Sequence, residues 1–284
     1  MSYLKKLNYL VVLLLAFTLI FTVSIQAEES LTLGVTSKMI GLSKLDSWQP
    51  ILDEVSKRSG IDIELVVAKD HQALFEMMKD EEIDLGYFSP IFYVKANEEL
   101  DSIPIVLEKR LDSSYYRGGF IVRKDSDIED LEDLRDKRLA LTAEKDSTSG
   151  YYLPIAVLNN LGIDYQNDLD VVFTGKHINV IKSVTYGLVD AGAIKLFLLE
   201  DPENQKYKSE IKIIRKSSYL PTSSITARHD MDQALIDKLR EAFLSLNDDP
   251  AGLEAMEESG FDGFAPSDDE MYDIVREILA DYNN

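Results

Sequence analysis

Strand-type and helix-type apolar spacing alternate along this chain twice over, and that alternation limits the fold more than any other feature. Leu31–Thr36 reads as a strand ending in the polar loop Ser37–Ser47. Trp48, Ile51, Leu52 and Val55 then recur at i, i+3, i+4 and i+7, one face of a helix, with Gly60 as its stop. Ile61, Ile63, Leu65 and Val67 alternate as a strand, and Asp70 is placed to cap a helix carrying Leu74, Phe75 and Met78. Ile83–Phe88 is a third strand, followed by Ser89-Pro90, a cap residue with proline at the first helical position. The order β-α-β-α-β predicts an α/β protein whose strands are mostly parallel.

The same grammar returns further on. Arg138–Leu141, Val171–Phe173 and Val189–Ile194 read as strands, and Leu153–Leu161 and Ile178–Tyr186 as helices closed by Gly162 and Gly187. Ile83-Asp84-Leu85-Gly86 and Val189-Asp190-Ala191-Gly192 are short echoes in matching contexts, which predicts two similar lobes. Ser113–Val122 and Tyr219–Ala227 are polar runs flowing into apolar alternation, as expected of two strands crossing between lobes. Residues 28–115 and 225–284 are therefore expected to form one discontinuous lobe, and 116–224 the other. Helical spacing marks Met231–Leu246, Pro250–Ser259 and Ser267–Tyr282. Ligands of open α/β sheets bind beyond the carboxyl ends of the strands, so the polar loops facing the interlobe cleft are where a site is expected.

Composition narrows the function. With 51 acidic against 30 basic side chains the formal charge is -21, the wrong sign for a protein that displaces phosphate counterions from nucleic acid. The absence of cysteine removes disulfides, thiol chemistry and a lipid anchor built on cysteine. Met1–Ala27 carries Lys5 and Lys6, the apolar run Leu10–Val23 and a small residue before Glu28-Glu29, the pattern of a cleaved secretory signal peptide. A retained anchor is the alternative, because the run approaches the lower limit of ~17 residues for spanning a bilayer. The mature protein is expected to be soluble and exported.

Asp146-Ser147-Thr148-Ser149-Gly150 is the cluster with the most chemistry in it. It stands between a strand and a helix. The first N–H groups of a helix have no partner within it, and hydroxyls beside them add donors, so such a set can chelate an oxyanion without a formal cation. An ordinary N-cap accounts for the same residues. His177, after Gly175-Lys176, is placed either to donate to an anion or to cap the next helix; the Gly-Lys pair lacks the spacing of a P-loop. His71 opens the second helix of the first lobe and reads as a surface turn or a ligand. His229 reads as exposed. The three histidines are too scattered for a metal site, and Asp268-Asp269-Glu270 lacks calcium-loop spacing. No nucleophile elbow or zinc-protease motif is present. A Ser149–His177–Asp190 triad can be drawn, but a serine within a hydroxyl run at a helix start suits anion capture better than attack, and no enzyme is expected.

In order, Gly119–Ser126 (GFIVRKDS), Ser147–Tyr151 with Pro154, Gly175–His177, Gly187–Gly192, Leu220-Pro221 leading to Ala227-Arg228, and Tyr272–Arg276 resemble one family. It is the phosphate/phosphite/phosphonate-binding subfamily of periplasmic solute-binding proteins of ABC importers, and the similarity runs from Leu31 to about Tyr282. The resemblance implies the two-lobed type II periplasmic-binding fold, each lobe a mostly parallel sheet flanked by helices, with two crossover strands. It implies that Ser147, Thr148 and Ser149 hold the phosphonyl oxygens, that His177 contacts the anion, and that Tyr116 corresponds to a tyrosine entering the crossover. His71 stands where the family commonly has tyrosine, a departure that still offers a donor, and Tyr87 joins it from the first lobe. Members that bind aminoalkyl phosphonates add carboxylates for the amine; the matching positions here are Phe197 and Ser223. The implied ligand is an amine-free oxyanion: phosphite, phosphate, methylphosphonate or a relative. The implied partner is a membrane permease, with no cofactor and no metal, for a monomeric chain. A binding head for a sensor kinase or chemoreceptor, or a sulfonate binder, is the alternative.

Overall fold

A computed structural model of the chain describes residues 30–37 and 47–284. The signal-peptide reading, residues 1–27, lies outside the described residues. The elements run β1 (Ser30–Thr36), α1 (Gln49–Ser59), β2 (Asp62–Ala68), α2 (His71–Lys79), β3 (Leu85–Phe88), α3 (Pro90–Leu100), β4 (Ile103–Glu108) and β5 (Tyr115–Arg123). They continue with β6 (Arg138–Leu141), α4 (Leu153–Asn160), β7 (Asp170–Phe173), α5 (His177–Thr185), β8 (Ala191–Lys195), α6 (Gln205–Lys208) and β9 (Ile211–Pro221). Last come β10 (Ser224–Ala227), α7 (Gln233–Ser245), α8 (Pro250–Ser259), β11 (Phe264–Pro266) and α9 (Asp273–Asn283).

Two sheets result, in the orders β11-β4-β10-β3-β1-β2 and β7-β6-β8-β5-β9. Both are mixed rather than mostly parallel. The helix-linked strands pair parallel, β1 with β3 and β6 with both β7 and β8. The strands that enter from the opposite sheet pair antiparallel, as β10 does with β3 and β4, and β5 with β8. Only a crossover connection turns a strand back to run parallel, and a chain arriving directly from the other sheet makes none.

Periodicity translated into packing as expected. Trp48, Ile51, Leu52 and Val55 are buried against Leu33, Val35 and Phe243. A second cluster is continuous across the two sheets, joining Leu74, Phe88 and Tyr93 to Leu139, Tyr151, Ile155 and Val275. The two crossing segments lie side by side. Tyr115 pairs with Pro221, the Thr222 N–H donates to Ser114 O (3.0 Å), and the Glu108 N–H donates to Ser223 O (3.0 Å). The final helix reaches both halves: Arg276 donates to Asn97 on α3 (2.8 Å), and Asn160 on α4 donates to Asp281 (2.8 Å).

Candidate anion-binding cleft

Between the sheets lies a cavity of about 760 Å³. Of the residues singled out in the sequence, Ser147, Thr148, His177, Tyr116, His71 and Tyr87 line it. Ser149 is fully buried immediately behind. The structure brings the set together from five separate stretches of chain.

The hydroxyl run begins α4 through an unusual first turn. Thr148–Tyr152 is wound as a π-helix, with Ser147 as its N-cap accepting from the Gly150 N–H (3.1 Å). Such wide turns are rare and concentrate at functional sites. The Tyr151 and Tyr152 N–H groups both donate to Ser147 O (3.0 and 3.1 Å). Ser147 is thus the ordinary cap that the sequence allowed, while Thr148 and Ser149 are not caps. Glycine at 150 is required by close approach: a Cβ there would stand 2.3 Å from Thr142 Oγ1 and 2.9 Å from His177 Cε1.

His177 opens α5 and does not cap it. Its Nδ1 accepts from the Lys195 N–H (3.4 Å), which assigns the proton to Nε2, 3.4 Å from Ser147 Oγ. Burial, and then the charge of Lys195, pull its pKa down to about 3. The ring is therefore neutral, with its one N–H at Nε2 facing Ser147.

His71 is buried (4% exposed), not a surface turn. Its Nε2 accepts from the Ser89 N–H (3.3 Å), so Nδ1 carries the proton and donates to Asp146 Oδ1 (3.2 Å). The His71 N–H also donates to that oxygen (3.1 Å). Both ring nitrogens thus have protein partners, and the residue fastens the first lobe to the second. A parallel fastening joins the Ile91 N–H to Thr148 Oγ1 (3.0 Å), and Lys95 Nζ donates to Tyr152 OH (2.8 Å). Tyr87 is likewise engaged: its phenol donates to Glu108, which also takes Arg110 Nη2 (3.0 Å). Tyr116 differs. Its phenol is buried without a hydrogen-bond partner, and burial holds its pKa well above the ordinary phenol value.

Residues that the sequence reading overlooked complete the wall. Ser89 and Thr142 present buried hydroxyls without partners. Lys195, Glu108 and Arg110 add charges that single-sequence reasoning had no signal to place, since Lys195 and Glu108 end β8 and β4, Arg110 follows just after β4, and only the fold brings these points together. Phe197 also lines the cavity, its ring edge-on to Tyr116 (6.0 Å between centroids), whereas Ser223 is buried with its hydroxyl unpartnered. His229 is exposed. Among the described residues there is no cluster of three or more His, Asp or Glu placed to hold a metal, and no helix long and apolar enough to cross a membrane.

Residues 43–272 match the sequence profile of the family described as ABC transporter, phosphonate, periplasmic substrate-binding protein. The chain belongs to this family. It is 24% identical to the phosphonates-binding periplasmic protein of Escherichia coli, over 96% of this chain and 85% of that one. It is 25% identical to the phosphate-import protein PhnD of Mycolicibacterium smegmatis, covering 90% and 83% of the two chains. Among solved structures, XAC2383 from Xanthomonas citri, bound to ATP, superposes with a TM-score of 0.77 at 25% identity, covering 90% of this chain and 97% of that chain. The fold is the type II periplasmic-binding fold. Membership makes the chain an extracytoplasmic solute-binding component of an ABC importer, whose class of partners is a small ligand and a membrane permease.

Proposed function

We propose that this member captures an amine-free phosphorus oxyanion: phosphite, phosphate or a small phosphonate. The observation that carries the reading is the convergence of unpartnered buried hydroxyls, Ser89, Tyr116, Thr142 and Ser149, on the start of α4. A buried hydroxyl without a partner costs free energy unless a ligand supplies one. Ser147 and Thr148 hold the rim of the cradle, the neutral His177 offers Nε2–H, and the free N–H groups of the first turn add the positive end of the helix dipole. His71 and Tyr87 act from the first lobe by holding Asp146 and Glu108 in place.

An ammonium on the ligand would meet no carboxylate at Phe197 or Ser223, and Glu108 is paired with Arg110. Closure of 116–224 on the other lobe would then present the liganded surface to the permease. In this reading Met1–Ala27 is a cleaved leader, and the chain acts as a monomer, without a cofactor, binding its ligand without converting it.

Titration calorimetry of the purified protein against phosphate, phosphite, methylphosphonate, 2-aminoethylphosphonate and taurine tests it. At least one of the first three should bind tightest, and 2-aminoethylphosphonate should be the weakest phosphorus compound. Tightest binding of 2-aminoethylphosphonate would overturn the exclusion of amines, and tightest binding of taurine the assignment to phosphorus.

A further inference from the structure

The cavity is far larger than the cradle needs, and its surplus volume carries a cation. Lys195 ends β8 and lines the cavity. Its ammonium lies 5.3 Å from the Tyr116 ring centroid and 5.9 Å from that of Phe197, over the aromatic wall. Among the described residues it makes no ion pair. Glu108, the carboxylate it faces, already accepts from Arg110 (3.0 Å) and from the Tyr87 phenol. Arg110 adds a second positive group to the same wall, itself held against Glu108 and donating to Gly260 O (2.5 Å). Of the other carboxylates lining the cavity, Glu257 and Asp262 belong to its exposed outer face, Asp262 accepting from the Leu111 N–H (2.7 Å), and Asp201 is partly buried on the loop after β8. Asp146 is committed to His71.

We propose that Lys195 forms a second subsite, for an anionic group on the ligand's substituent, so that the preferred ligands are doubly headed: a phosphoryl group in the hydroxyl cradle and a carboxylate or second phosphoryl group against the Lys195 ammonium. This rests on the oxyanion reading of the cradle and goes beyond it. An ammonium enclosed between aromatic faces loses hydration that ring quadrupoles only partly restore, and an anionic partner restores more. The same charge repels a ligand ammonium, which gives the exclusion of amines an attractive counterpart and a repulsive one. Burial depresses the lysine's pKa, consistent with an ammonium lacking its counter-charge.

The test is calorimetry of the wild-type protein, Lys195→Met and Lys195→Arg with five probes: methylphosphonate, ethylphosphonate, phosphonoacetate, 3-phosphonopropionate and methylenediphosphonate. In wild type, at least one doubly anionic probe should bind about tenfold or more tightly than ethylphosphonate. Lys195→Met should remove that preference while lowering methylphosphonate affinity much less, and Lys195→Arg should keep it. Which probe gains separates a carboxylate from a second phosphoryl group. Binding of methylphosphonate with no preference for any doubly anionic probe overturns the subsite and leaves the cradle standing. An equal loss for all five probes in Lys195→Met makes the lysine a counter-charge to the phosphoryl group and also overturns it. Absence of binding by all five overturns this subsite, and the cradle falls with it only if phosphate and phosphite also fail to bind. The wild-type comparison stands even if a variant fails to fold.

Discussion

Two helix starts face each other across the cleft, and the chain uses them in opposite ways. In the first lobe, Ser89-Pro90 begins α3 regularly, and its backbone donors are spent on the protein, while the Ser89 hydroxyl stays unpartnered. The Ser89 N–H goes to His71, Pro90 has none, and the Ile91 N–H goes to Thr148 Oγ1. In the second lobe, the π-wound turn from Thr148 makes its reverse hydrogen bonds to Ser147 and leaves the hydroxyl of Ser149 unpartnered. Similar sequence signals, a serine ahead of a helix with proline in its first turn, therefore give a latch on one side and, on the other, the turn proposed to cradle the ligand. The difference lies in turn geometry and in what stands opposite. A helix end aimed at protein is consumed by it, and one aimed at a cavity remains available.

The comparison breaks most visibly at Gly150. Gly150→Ala puts a methyl group into Thr142 and the His177 ring, and the buried turn has nowhere to move. Methylphosphonate affinity should fall by about 100-fold or more on calorimetry, with the melting temperature lowered only modestly. Next is Ser149→Ala, which removes one buried donor to an anion; a loss of about 1.5–3 kcal/mol in binding with an unchanged circular dichroism spectrum is expected. An unchanged affinity would place the ligand elsewhere. Asp146→Asn sharpens the contrast from the latch side. It weakens the pair of bonds to His71, so affinity should drop about three- to tenfold through a less populated closed state. Small-angle scattering of the ligand-free variant should show a larger radius of gyration than wild type. Equal scattering and equal affinity would remove His71 and Asp146 from closure.

Element types were legible because each depends on local spacing. The Trp48–Val55 face, the Asp70 cap and the glycine stops are all decided within a few residues, and the Asp70 side chain does accept from the Ala73 N–H (3.0 Å). Mixed strand pairing was not legible, since it depends on where a crossing strand arrives. The hydroxyl run could be found because its residues are consecutive. Ser89, Thr142 and Lys195 could not, being single residues at ends of elements that only the sheet order brings together. His71 shows the limit from the other direction. Its position near a helix start suggested exposure, yet stacking on Phe92 (5.0 Å between centroids) and bonds from two lobes bury it.

The remaining prediction concerns the stability contributed by His177, and it has a definite sign. The folded protein keeps this imidazole neutral down to a pH of about 3, whereas the unfolded chain protonates it near 6.5. Between those values the unfolded state binds the additional proton, so stability falls as pH falls through the window, by at most about 1.4 kcal/mol per pH unit for this one group. Other groups titrate over the same range, and the difference between wild type and His177→Gln isolates the contribution. Denaturant unfolding at pH 7.0, 6.0, 5.0 and 4.0 should therefore show wild type losing stability faster than the variant on acidification. Bound methylphosphonate places negative charge beside Nε2–H, favours the protonated ring and should flatten that difference. A wild type that tracks the variant at every pH would mean that the ring is not held neutral by its surroundings, and the single-donor role assigned to it at the cradle would fail.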